Sequence, residues 1–176
     1  MSNATGPISL RSSLVDTGRR IVSWLEAIPY ALLAIPLRVA VAAVFWNSGM
    51  TKLPNWGMTV ALFTDEYKVP LLPPELAAYM ATAIELTTPV LLVLGFLTRP
   101  AAAVLLGMTA VIQIFVYPTA WPTHIQWAAM LLVLLARGPG KISLDWLIWR
   151  RAVGSRQTEA QSPPFDERTK VDRILR

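Results

Sequence analysis

The chain has no cysteine and a single histidine among its 176 residues. Disulfides, thiolate metal sites and CxxC redox chemistry are therefore excluded. A metal site is not expected either, because one His without Cys would have to lean on the nearby carboxylates Asp65 and Glu66. Charge is also scarce. Only 15% of residues are charged, against about 25% in a soluble domain. The charges gather at the two ends and in short islands, and the stretches between are apolar. Hydrophobic residues make up 54% of the chain and the mean hydropathy is +0.47. That distribution predicts an all-α integral membrane protein.

The net charge of +5 does not read as nucleic-acid binding, because no basic stripe interleaved with stacking aromatics occurs. The basic residues read as topology signals instead. No signal-peptide pattern surrounds the first apolar stretch, so the first span is expected to be retained as an anchor.

Four spans are predicted, over residues 31–50, 76–97, 101–117 and 122–136. The last two are short for a bilayer core of about 30 Å. Pro36 and Pro89 fall inside spans one and two, where neighbouring helices tolerate a kink. Residues 1–12 are polar and expected to be unstructured. The pattern Leu14, Gly18, Ile21, Val22, Leu25, Ile28 predicts a short amphipathic helix on the membrane surface, with Trp24 at headgroup level. Ser143 is a candidate N-cap for a second surface helix carrying Leu144, Leu147 and Ile148. Three parts result: a segment of residues 1–30, a four-helix bundle of residues 31–136, and an interfacial helix with a polar tail over residues 137–176. Residues 51–75 form a long loop, and Thr98-Arg99-Pro100 a tight turn.

Of the sixteen Lys and Arg, thirteen fall on the side of the two termini and the 98–100 turn. The positive-inside rule then places both termini in the cytoplasm of a plasma (inner) membrane protein and the 51–75 loop outside.

Polar residues at membrane depth are costly, so each is a candidate for function. Arg38 and Glu85 lie at matching depths if the outer ends of spans one and two are level, which predicts an ion pair between them. That pair reads equally well as a clamp on helix register. A second group lies near the outer face: Asn47, Lys52, Gln113, Tyr117, His124 and Trp127. Gln113 and Tyr117, four residues apart, share a helix face. Lys52 is expected to snorkel to the outer surface beside Asn47. His124 reads as an interfacial hydrogen bonder or as a proton-transfer group. Trp46, Trp56, Trp121 and Trp127, with Tyr67 and Tyr117, lie near this boundary and read as an aromatic belt, or as the wall of a pocket for a flat lipophilic ligand such as a quinone.

The segment RVAVAAVFWNSGMTKL, residues 38–53, resembles the start of the DoxX family. So does a Glu in span two followed by Gly95 and Thr98-Arg99, and so does the closing GPGKISLD, residues 138–145. The resemblance implies a four-helix integral membrane protein. It also implies a subunit of a quinone-linked membrane oxidoreductase system in redox or stress defence. The alternative is a non-enzymatic partner or transport component in metal and oxidative stress handling. A small channel is a third class, disfavoured by four short spans unless the protein oligomerises. No intrinsic cofactor is implied. A quinone is the candidate ligand, and the implied partners are the bilayer and another redox or membrane protein, or a second copy of the chain.

Overall fold

The computed structural model describes residues 8–151, with side chains from residue 13 onward. Its order is α1 (Ile8–Glu26), α2 (Tyr30–Lys52), α3 (Trp56–Leu62), α4 (Pro74–Leu94), α5 (Thr98–Val111), α6 (Trp121–Arg137) and α7 (residues 144–151). No strand occurs among the described residues. Two π-helical turns, Phe63–Tyr67 and Ile112–Val116, extend α3 and α5.

Among the described residues, three segments are long and apolar enough to cross a membrane: Tyr30–Lys52, Pro74–Leu94 and Thr98–Val116. With 17 residues, α6 is shorter, yet it completes a four-helix arrangement. The core draws on all four helices: Val41, Ala42 and Phe45 from α2, Leu92 from α4, Ala101, Ala102 and Leu105 from α5, Leu131 and Leu134 from α6. Small residues on α2, α4 and α5 let the backbones approach closely, as in other membrane bundles. Gly49 makes this concrete. A Cβ there would lie 2.8 Å from Leu86 Cδ2 and 3.0 Å from Glu85 Cβ, so α2 and α4 touch along this line. The outward faces carry large exposed apolar side chains such as Leu32, Val93, Ile125 and Leu132, as a surface facing lipid requires.

Several expectations are corrected. The stretch expected to be unstructured through residue 12 is helical from Ile8. The 51–75 loop is largely helical, because Asn55 caps α3 by accepting from the Met58 N–H at 3.0 Å. Thr98-Arg99-Pro100 is the first turn of α5, and the reversal lies at Gly95-Phe96-Leu97. Gly95 takes φ +66° there, and the N–H groups of Gly95 and Phe96 close the helix end onto Leu92 O and Leu91 O. The N-cap expected at Ser143 forms, its Oγ accepting from the Trp146 N–H at 3.2 Å. The polar tail beyond residue 151 lies outside the described residues.

Candidate functional site

The two ends of the bundle treat their buried charges differently. At one end are the start of α2, the α4–α5 reversal and the segment 138–145. Arg38 is 4% exposed there and donates from Nη2 to Ile142 O at 2.9 Å. Gly95 lies against it so closely that a Cβ would be 2.2 Å from Arg38 Nη1. The start of α5 has no capping side chain of its own. Its N-cap position is Leu97, and the cap comes from Asp145, whose Oδ1 and Oδ2 accept from the N–H groups of Leu97 (2.8 Å) and Thr98 (3.0 Å). The Asp145 N–H in turn donates to Gly95 O at 2.9 Å. Tyr30 adds a hydrogen bond to Gly138 O at 2.8 Å. Residues 138–145 are thus part of the bundle, and this end is closed.

At the other end, Lys52 is the last residue of α2, and it turns inward. Its Nζ lies 2.7 Å from Glu85 Oε2, and the two residues are 7% and 2% exposed. Ser48, one turn before Lys52, accepts from the same ammonium at Oγ (3.0 Å) and O (3.2 Å) and donates to Glu85 Oε1 at 3.0 Å. The expected snorkelling of Lys52 is therefore corrected, and so is the pairing of Glu85. Glu85 meets Lys52, not Arg38. The depth argument failed because it set the ends of α2 and α4 level. The structure places Gly49, three residues before the end of α2, against Glu85, eleven residues past the start of α4, so α4 overhangs α2 by about eight residues, roughly 12 Å at 1.5 Å per residue. The overhang is filled by α3 and its π turn, where Phe63 packs on Ala77 and Ala78.

Between this filler and the bundle lies a cavity of about 330 Å³. Its wall is mostly apolar and includes Phe45, Met80, Ile84 and Met108. The polar groups on it are Ser48, Lys52, Glu85, Tyr67, Tyr117 and His124, with the Trp127 ring beside them. Both π turns contribute to the wall, and Tyr67 and Tyr117 meet edge to face at 5.7 Å. Such turns are frequent at functional sites. Tyr117 donates to Glu66, and that hydrogen bond, ahead of burial, raises the pKa of the phenol.

Lys52, Tyr117, His124 and Trp127 thus come together. Two of the group do not join them. Asn47 is exposed on α2 and is not on the wall. Gln113 lines a second, more open hollow of similar volume with Trp121 and Ile125, and reaches the first only through His124, whose Nδ1 lies 2.7 Å from Gln113 Oε1. The shared face expected for Gln113 and Tyr117 is lost because the π turn carries extra residues per turn, and Tyr117 lies beyond it in extended backbone, φ −133°. Tyr67, one of the aromatics expected near the outer boundary, is on the wall, whereas sequence reasoning missed Ser48. Ser48 carried a signal, since it stands four residues before Lys52 and so shares its helix face.

The DoxX family model matches residues 33–118. An uncharacterized protein of Haemophilus influenzae (strain Rd) is 32% identical over 127 residues, which cover 64% of this chain and 80% of the relative. No solved structure matches.

Proposed function

Because the chain belongs to the DoxX family of membrane proteins, we propose that its cavity binds the headgroup of a quinone-type lipid. In this reading the protein is a subunit of a quinone-linked membrane oxidoreductase system in redox or stress defence. The observation that carries this is a buried Lys52–Glu85 pair, bridged by Ser48, on the wall of an apolar cavity. About 330 Å³ is at the small end of the range for small-molecule sites, roughly 300–1,000 Å³, and suits one ring with its chain leaving between helices. A purely structural ion pair has no need of a cavity beside it. Electrons would pass to a carrier on a partner protein, since this chain has no cysteine and one histidine.

The same reading has α2, α4, α5 and α6 as four spans of the plasma membrane, with α1 and α7 lying at its surface. Both termini are cytoplasmic, by the distribution of Lys and Arg. The closed end then faces the cytoplasm and the cavity end faces outward.

The test is a titration of the detergent-purified protein with a short-chain ubiquinone analogue in both redox states, followed by tryptophan fluorescence. Trp127 on the wall is the expected reporter. Saturable binding, weakened roughly tenfold or more in Glu85→Gln and in His124→Ala, supports the reading. Absence of saturable binding in wild type sinks it and leaves a non-enzymatic partner or transport role.

A further inference from the structure

Within the polar wall of the cavity, the Lys52–Ser48–Glu85 triad and His124 have acceptors rather than donors to spare. Lys52 Nζ has three N–H bonds and three acceptors in reach, Glu85 Oε2, Ser48 Oγ and Ser48 O, at 2.7, 3.0 and 3.2 Å. No ammonium N–H is left for a ligand. The Ser48 hydroxyl gives its proton to Glu85 Oε1. What the triad still offers is the remaining lone pairs of the Glu85 carboxylate, each oxygen of which accepts one bond.

His124, on the same wall, is also an acceptor. Gln113 Nε2 donates to Pro118 O at 2.8 Å. A carbonyl can only accept, so the amide nitrogen must face Pro118 and the amide oxygen must face His124. That oxygen can also only accept, so His124 Nδ1 carries the proton at 2.7 Å. In the neutral ring Nε2 then holds a lone pair. Nε2 has no hydrogen-bond partner among the described residues. His124 lines both hollows and Gln113 only the second, which fits a ring whose Nδ1 edge serves the second hollow and whose Nε2 edge remains for the main cavity. A ring oxygen of either redox state can accept from the Tyr67 phenol or the Trp127 indole, so those donors do not discriminate.

We infer that the cavity selects its ligand by hydroxyl donors. Within the quinone class, the reduced hydroquinone is the form that fits, and Gln113 is the positioning residue that sets this by fixing the His124 tautomer. The inference rests on the quinone reading above. A hydroquinone brings O–H donors to Glu85 and Nε2, whereas the oxidised ring brings only carbonyl acceptors and leaves both unpaired. Leaving designed polar partners unpaired is what lets a hydrogen-bonding site reject a near-isostere.

The experiment uses the full chain in detergent, labelled with ¹⁵N-histidine. One histidine in the sequence means one imidazole in the spectrum. The expected pattern is the Nδ1–H tautomer, with a pyridine-type Nε2 line that moves on adding a short-chain hydroquinone. Calorimetry should show the hydroquinone binding about tenfold more tightly than its quinone or its dimethyl ether. In Gln113→Leu the tautomers should mix and the preference should shrink. An Nε2–H tautomer in wild type, or a quinone bound as tightly as the hydroquinone, overturns donor selection and leaves the quinone site standing. No saturable binding by any of the three ligands overturns both. The three-ligand comparison in wild type does not depend on any variant folding.

Discussion

Each end of the bundle buries a cation near an anion, and the two do opposite things with them. At the closed end Arg38 and Asp145 spend hydrogen bonds on main-chain groups: Ile142 O for Arg38, the Leu97 and Thr98 N–H groups for Asp145. Those bonds tie three distant stretches of chain, and Gly95 lies so close to Arg38 that no room remains beside it. At the other end Lys52 and Glu85 bond each other and Ser48, and a cavity lies next to them. The closed-end contacts tie chain to chain, while Arg38 Nε and Nη1 are buried there without a partner among the described residues. At the cavity end the two charges satisfy each other, and only the Glu85 carboxylate keeps lone pairs beside the empty space.

The comparison can be tested at both ends, and the largest effect is expected at Lys52. Lys52→Met leaves the Glu85 carboxylate buried without its cation and should lower stability by about 3–5 kcal/mol, read as thermal unfolding in detergent. Adding Glu85→Leu should recover much of that loss, because the pair replaced by apolar groups carries no desolvation cost. A single variant as stable as wild type would mean the pair is not buried as described. Next is Gly95→Ala, which places a Cβ at a positive φ and against Arg38. About 2 kcal/mol is the expected loss, with ligand affinity unchanged in the fraction that folds. Smallest is Asp145→Ala, which removes the cap of α5. About 1 kcal/mol is the usual cost of such a cap. Amide exchange should quicken at Leu97 and Thr98 while the cavity end stays protected, and altered ligand affinity here would blur the division between the ends.

The three motifs that resemble the DoxX family show how much of the fold could be read in advance. Arg38, Gly95 with Thr98, and GPGKISLD are far apart in the chain and meet at the closed end. They are legible because backbone reversals and caps demand particular residue types at fixed positions. The cavity end was less legible: the same motifs contain Ser48, Lys52 and Glu85, but not that they meet. Lys52, Tyr117, His124 and Trp127 were picked out for being polar or aromatic at depth, and they do gather. Asn47 satisfied the same criterion and faces outward, because one helical position turns a side chain by about 100° and depth says nothing of rotation.

By itself the sequence determined that this is an α-helical membrane protein with its main apolar helices near their true positions, because hydropathy and helix length are local properties of the chain. Tertiary structure alone decided which charge meets which. The end of α2 stops level with the middle of α4, α3 folds into the step, and the step leaves the cavity. Those offsets are set by how side chains from four helices fill space together, and no single segment contains that information.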